Sequence, residues 1–291
     1  MTYRKYEIWH DEKKDGGYYH GILFIPLDKK DALLQHLKKI RVEHKFAEEV
    51  DLKFSKALDG GRKSKIMNNK LALFSHVIAR KPNTKTEIFN ATGKDKFQKK
   101  YKPYLVISDI FDCKFGLLKV EDNFQSLHFD SYAKKIETTL RFVLKGCCHG
   151  MFDINNPIEI IKFYFDGYEH HGGKIDLNRI LSGEFRAHCR INSNLAIDSR
   201  HMKERDNDSK IIMNFVDNIL AAWVITLGGH KDPHCVLQPL KEIKDRLKEN
   251  KIFSNPNSRW YRSISMSEFK IENNQIIFPN LFLNRKQQSL F

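Results

Sequence analysis

The N-terminal segment is the strongest guide to the fold, because it contains two strand-like stretches on either side of a turn sequence. Residues 3–11 alternate between apolar and polar side chains, residues 13–17 (KKDGG) are typical of a turn, and residues 18–26 form a second apolar strand. Two such strands joined by a short glycine-containing turn form an antiparallel hairpin. A sheet that begins with this hairpin is antiparallel in at least one part.

Strand-like and helix-like segments follow the hairpin in an order that predicts a mixed α/β sheet flanked by helices. The strongest strand pattern is residues 158–166 (IEIIKFYFD). The strongest helix pattern is residues 209–227, which end before two glycines, a common stop signal. The other predicted strands are residues 50–57, 104–111 and 115–120, and the other predicted helices are residues 28–44, 68–79, 130–144 and 236–250.

The composition indicates a folded, basic protein. Apolar residues make up 41% of the 291-residue chain, which argues against general disorder. The net charge of +14 favours a polyanionic partner, most commonly nucleic acid, although the same surplus also serves solubility. The 5 cysteines, an odd number, do not predict a disulfide framework, and no apolar run approaches the ~20 residues that span a bilayer. We therefore expect a cytoplasmic protein that has no membrane partner.

Carboxylates occur at positions where they are costly to bury. Asp11 and Glu12 end the first predicted strand, Asp51 lies in another, Asp166 ends the strongest strand, and Asp217 lies in the apolar helix. Clustered carboxylates repel one another unless a divalent cation neutralises them, and oxygen ligands suit Mg²⁺ or Mn²⁺. Two such ions can activate a water for phosphodiester hydrolysis. The pattern is therefore typical of a metal-dependent nuclease.

These positions also have purely structural explanations. Asp166 precedes Gly167, and an Asp-Gly pair commonly starts a turn. Asp217 can form a salt bridge with a buried base, because an unpaired carboxylate on an apolar face costs several kcal/mol. The remaining carboxylates can lie at solvated strand ends.

Four segments in the same order resemble a large family of uncharacterised RNase H-like proteins, which are regarded as nucleases and whose first strand typically ends in Asp-Glu-Ser-Gly. Residues 8–26 (IWHDEKKDGGYYHGILFIP) are similar to that family's first hairpin, and residues 51–58 (DLKFSKAL) to its acidic-Leu-Lys element. Residues 161–167 (IKFYFDG) resemble a later strand ending in Asp. Residues 208–223 (DSKIIMNFVDNILAAW) resemble the family's Asp-Ser-Lys helix.

The resemblance implies an RNase H-like mixed sheet over residues 1–230, with an antiparallel opening hairpin, flanking helices and helical insertions. Residues 231–291 would form a C-terminal helix and a weakly patterned tail on the same domain. The implied activity is cleavage of DNA or RNA with Mg²⁺ or Mn²⁺ held by Asp11, Asp166 and Asp217, which should then converge. The candidate catalytic residues are Asp11, Glu12, Asp51, Lys53, Asp166, Lys210 and Asp217.

Two basic runs are candidate nucleic-acid contacts. Residues 62–65 are a compact cationic group, and residues 94–102 (KDKFQKKYK) interleave aromatic side chains with lysines, so that bases could stack while phosphates are neutralised. Both runs can equally be solvated surfaces. The candidate binding residues are Arg62, Lys63, Lys94, Phe97, Lys99, Lys100 and Tyr101.

The same resemblance leaves other functions open. Lys13 and Lys14 stand where the family has Ser-Gly, and Asp51 stands where it usually has Glu. These departures fit a catalytically inactive RNase H-like module that binds nucleic acid or a partner protein. A further hypothesis also assumes a nuclease. In it the protein is a phage-defence effector that a partner protein of the same defence system holds inactive.

Overall fold

The computed structural model describes residues 3–46, 52–79, 110–120, 131–165, 188–228, 235–248, 256, 260–273, 275–279, 281 and 286–287. The chain is an α/β protein that divides into two compact units. The first unit comprises Met1–Leu27, Lys114–Glu204 and Arg262–Phe291, and the second comprises Asp28–Cys113 and Arg205–Tyr261.

The first unit contains a mixed sheet with the strand order β5-β4-β1-β2-β3-β6-β7-β8 among the described residues. Strands β1, β2 and β3 form an antiparallel meander, whereas β4 is parallel to both β1 and β5, and β6 is parallel to β3. The strands are β1 (Arg4–Lys14), β2 (Tyr18–Pro26), β3 (Lys114–Val120), β4 (Ile158–Phe165), β5 (Cys189–Asp198), β6 (Ile264–Glu272), β7 (Gln275–Pro279) and β8 (Lys286–Gln287).

The predicted opening hairpin is confirmed. β2 has the predicted bounds, and β1 continues past Asp11 to Lys14. The turn between them uses Gly16 and Gly17, whose φ angles of 58° and 151° favour glycine.

The predicted strand over residues 50–57 is wrong where the structure describes it. Leu52 and Lys53 belong to no strand, and Phe54–Ala57 forms a 3-10 helix. The apparent alternation arises because Leu52, Phe54 and Ala57 are all buried, with spacings of two and then three residues. The third strand of the meander is instead β3, which corresponds to the predicted strand at residues 115–120.

Helix α3 (Tyr132–Met151) covers one face of the sheet and encloses the hydrophobic core of the first unit. The Oγ of Ser131 caps its N-terminus by accepting a hydrogen bond from the Lys134 amide at 3.2 Å. The helix runs beyond the predicted end at residue 144, because burial of Cys147, Cys148 and Met151 outweighs the low helix propensity of the intervening glycines.

The second unit contains the remaining α-helices of the described residues. The predicted helix at residues 68–79 begins earlier than expected, so the basic run at residues 62–65 lies in its first turns. Helix α4 (Asn207–Gly228) is long and apolar enough to cross a membrane by length and composition alone, and 78% of its apolar window is buried inside the protein. The helices are α1 (Lys30–Glu43), α2 (Gly61–Val77), α4 (Asn207–Gly228) and α5 (Gln238–Lys248).

Candidate functional site

The carboxyl end of β4 lies beside the middle of β1, the parallel strand next to it in the sheet. In the register between β1 and β4, His10 pairs with Phe165. Asp11 follows His10, and the next residue in the chain after Phe165 is Asp166, which lies outside the described residues. Asp11 is buried, and its Oδ1 accepts a hydrogen bond from the Glu12 amide at 2.8 Å, which fixes the carboxylate.

Asp11 and Glu12 point to opposite faces of the sheet, because successive side chains alternate along β1. The Glu12 carboxylate accepts a hydrogen bond from the Tyr18 hydroxyl, and Tyr18 belongs to the core that α3 covers. Asp11 instead shares a face with Trp9, whose ring stacks on Tyr164 with a centroid distance of 3.5 Å. The two candidate catalytic carboxylates therefore do not form a side-by-side pair.

A further carboxylate, which the sequence reasoning missed, lies at the end of β5. Asp198 is buried and pairs in register with Tyr164 of the parallel strand β4. Arg200 donates to both of its carboxylate oxygens, at 3.1 Å from Nε and 2.7 Å from Nη2. The apolar stretch before Asp198 is a signal that could have identified it. The arginine gives this carboxylate a structural partner.

Helix α4 carries the other candidate carboxylate together with a candidate lysine. Lys210 and Asp217 are seven residues apart, so they lie on the same helix face about two turns from each other. Asp217 is only partly buried, although the sequence indicated a helix face that is apolar apart from Asn214 and Asp217 itself. Its Oδ2 accepts a hydrogen bond from Asn218 Nδ2 at 3.4 Å.

A buried lysine of α2 contacts α4 next to these residues. Lys70 of α2 is 1% exposed, and its Nζ donates to the Oδ1 atoms of Asn214 and Asn218, each at 2.7 Å. The side-chain amides of the same asparagines donate to the backbone oxygen of Leu52, at 3.3 Å from Asn214 and 2.8 Å from Asn218. These bonds hold the segment that contains the exposed Lys53 against α4.

Arg41 of α1 adds a second buried cation to this cluster. It is 2% exposed, and its Nη2 donates to Asn214 Oδ1 at 3.1 Å, so one amide oxygen accepts from two charged groups. Hydrogen bonds from charged donors are roughly twice as strong as neutral ones. The sequence signal for the cluster was the pair Asn214 and Asn218, one turn apart in an otherwise apolar helix.

A second buried polar chain crosses the core of the first unit. His10 Nε2 lies 3.0 Å from His20 Nδ1, and His20 Nε2 lies 2.8 Å from Thr139 Oγ1. The Thr139 hydroxyl donates to the Lys135 carbonyl at 2.8 Å, so it accepts from His20 Nε2. His20 Nδ1 then accepts from His10 Nε2, and the His10 ring stacks on Phe165 at 4.9 Å. The chain links β1, β2 and α3 on the face of the sheet opposite to the Asp11 side chain.

Several predicted positions remain untested. Asp51 and Asp166 lie outside the described residues, as do Lys94, Phe97, Lys99, Lys100 and Tyr101. Asp11 belongs to the first unit and Asp217 to the second, so their convergence stays a prediction. Within the described part of the chain, no group of three or more His, Cys, Asp or Glu side chains is arranged to hold a metal ion.

Arg62 and Lys63 are exposed in the first turns of α2. Arg62 Nη1 donates to the Lys45 carbonyl at 3.3 Å, which joins the start of α2 to the end of α1. His44 lies between these two helix ends, with Asn69 Nδ2 at 3.0 Å from its Nε2. Burial lowers the pKa of His44, and the positive charges of Lys65 and Arg62 lower it further.

The described residues thus form an α/β protein whose first unit contains a mixed sheet covered by α3 and whose second unit is helical. The carboxylates of Asp11 and Asp198 are buried in the first unit, and the cations of Arg41 and Lys70 are buried against α4 in the second. No protein-family model matches the chain, and a search of curated proteins finds no relative. The site must therefore be interpreted from its own chemistry.

Proposed function

We propose that the chain is a divalent-metal-dependent nuclease on an RNase H-like fold, hydrolysing phosphodiester bonds of DNA or RNA with Mg²⁺ or Mn²⁺. The observation that carries this proposal is the parallel register of β1 and β4, in which the paired residues His10 and Phe165 are each followed by an aspartate. Carboxylates contributed by adjacent parallel strands can share a cation. The antiparallel meander joined to parallel strands also supports the fold assignment.

The hydrogen bonds of Asn214 and Asn218 support the proposed roles of Lys53, Lys210 and Asp217. The bonds from Asn214 and Asn218 to the Leu52 carbonyl bring Lys53 to the helix that carries Lys210 and Asp217. In the proposed mechanism Asp11, Asp166 and Asp217 are the metal ligands, and Lys53 or Lys210 orients and neutralises the phosphate. The metal, when bound, supplies an activated water and stabilises the leaving oxygen.

A catalytically inactive module that binds nucleic acid or a partner protein is the alternative. The hydrogen bond between Tyr18 and Glu12 favours it, because one carboxylate of the predicted Asp-Glu pair then has a structural role on the α3 side of the sheet. In that case Asp11 would also serve packing and register rather than catalysis.

Thermal melts with and without Mn²⁺ separate these two functions. A metal that binds only the native state must raise the melting temperature. We expect Mn²⁺ to stabilise the wild type and the control variant Asp59→Asn, which alters an exposed carboxylate, but to stabilise Asp11→Asn much less. A wild type whose melting temperature does not respond to Mn²⁺ or Mg²⁺ would favour the inactive module.

A further inference from the structure

Exposed cations gather where the end of α1, the 3-10 helix at Phe54–Ala57 and the start of α2 come together. Two bonds hold these segments: Arg62 Nη1 donates to the Lys45 carbonyl, and the Ser64 hydroxyl donates to the Ala57 carbonyl. We name this surface the α1–α2 patch. Its exposed cations are Lys45, Lys53, Lys56, Arg62, Lys63 and Lys65, and the exposed acidic residues of the same segments are Glu43 and Asp59.

Helix stability does not explain this concentration of charge. The N-terminus of a helix carries a partial positive charge, so cations in the first turn are disfavoured. Helix α2 nevertheless begins with Arg62, Lys63 and Lys65, and none of its first-turn residues is acidic. A surface that accumulates like charges at such a cost is suited to a polyanion that neutralises them.

His44 lies beside the patch in its neutral form. An amide nitrogen can only donate, so the contact from Asn69 Nδ2 requires His44 Nε2 to be an acceptor. The charged groups acting on the ring from α2 are Arg62 and Lys65, and both oppose its protonation. In the chain, the neighbours of His44 are Glu43 and Lys45.

We propose that the α1–α2 patch binds the sugar–phosphate backbone of the nucleic acid and that His44 takes up one proton when it does so. The choice of nucleic acid as the polyanion rests on the proposed function. Phosphates placed among Arg62 and Lys65 offset the repulsion that keeps His44 neutral. The ring then accepts a proton from solvent at Nε2, and rotation of the Asn69 amide presents Oδ1 as the new acceptor.

The direction of the pH effect follows from this coupling. The bound phosphates raise the pKa of His44 above its lowered value in the free protein. Affinity must therefore increase as the pH falls through the interval between the two pKa values, by at most about tenfold per pH unit for one linked proton. At pH values below the lower of the two pKa values, affinity no longer changes with pH, because His44 is then protonated in both the free and the bound protein.

Equilibrium binding of the full chain to a fluorescent single-stranded DNA oligonucleotide, measured in EDTA, tests the phosphate contacts. We expect Arg62→Gln/Lys65→Gln to weaken binding and to reduce the slope of log affinity against log salt by about 0.7 per lost phosphate contact. Lys5→Gln/Lys203→Gln removes the same charge from exposed lysines elsewhere and should leave the slope nearly unchanged. Equal slopes for the two double variants, or no binding by the wild type, would overturn the proposal.

The proton coupling is tested by repeating the titrations between pH 5.5 and 7.5 with wild type and His44→Gln. Glutamine can still accept from Asn69 but cannot take up a proton, so this variant should lose part of the affinity gained at low pH. Identical pH dependence in the two proteins would refute the role of His44. EDTA removes metal-dependent cleavage, so a protein that binds as expected but never cleaves would refute the proposed catalysis and leave this inference standing.

Discussion

At the residue scale, Lys70 is the best-defined buried charge of the helical unit. Removing one partner of a buried hydrogen-bonded charge leaves the other partners unsatisfied, which costs more than the bond itself contributes. In this cluster the remaining partners are the two asparagine oxygens of α4. The geometry of the helix that carries Asp217 therefore depends on a lysine of another helix.

Replacing this lysine tests that dependence. We expect Lys70→Met to lower the free energy of unfolding by about 2–4 kcal/mol, because methionine keeps the volume but removes the charged donor that Lys70 provides to Asn218 Oδ1 and one of the two charged donors of Asn214 Oδ1. Lys65→Met, an exposed position on the same helix, should change it by no more than about 0.5 kcal/mol. Urea denaturation measures both, and a Lys70→Met variant as stable as the wild type would contradict the structural role.

A sequence pattern shows where residues lie along a helix but does not show which distant residues they contact. The positions of Lys210 and Asp217 on one helix face follow from a 3.6-residue period, which is a local property. Lys70 could not be recognised, because a lysine in a helix usually faces solvent and its partners Asn214 and Asn218 are distant in the chain. The roles of Asp11 and Asp217 in catalysis stay predictions.

At the element scale, the packing of α3 on β3 requires a glycine. A Cβ atom at Gly116 would overlap the Sγ of Cys147, which is fully buried on the facing helix. Burial raises the pKa of the Cys147 thiol, with a further contribution from Cys189, so this sulfur is an apolar packing group.

A double-mutant cycle tests this close approach. We expect Gly116→Ala to destabilise the protein by about 1–3 kcal/mol through overpacking. Cys147→Ala removes the overlapping sulfur, so the double variant should lose much less stability than the sum of the two single changes. Additive losses in thermal or urea unfolding would show that the methyl group is accommodated in another way.

Sequence analysis missed the strand β6 and wrongly predicted a strand at residues 50–57, and the two errors have different causes. The pattern ISMSEFKIE of β6 alternates well, but its sheet position is set by pairing with β3, more than a hundred residues earlier. The segment Leu52–Ala57 shows the converse error, since buried residues of a 3-10 helix produced a strand-like alternation. Hairpin β1–β2 was predictable because its pairing is local.

At the scale of the whole molecule, histidines make stability depend on pH. Burial lowers the pKa of His149, and His188 and Lys145 lower it further. The unfolded chain then binds a proton more readily than the native state, so the contribution of His149 is fully present above pH ~6.5 and is lost as the pH falls through its lowered native pKa. His44 acts in the same direction.

We therefore expect the melting temperature to rise with pH between about 5 and 7. The variant His149→Gln cannot titrate and should show a smaller rise, while retaining most of the wild-type stability at pH 7.5. Melts of both proteins across this range provide the comparison. An identical pH dependence, or a melting temperature that falls over the interval, would contradict the assigned direction.

The central claim is that the carboxylates at the sheet edge support metal-dependent hydrolysis. Incubation with end-labelled single- and double-stranded DNA and RNA, in Mg²⁺ or Mn²⁺ and in EDTA, tests it most directly. We expect cleavage of at least one substrate by the wild type, only with metal, and none by Asp11→Asn, which is nearly isosteric but carries no charge. No cleavage of any substrate, cleavage that persists in EDTA, or equal cleavage by Asp11→Asn would contradict it.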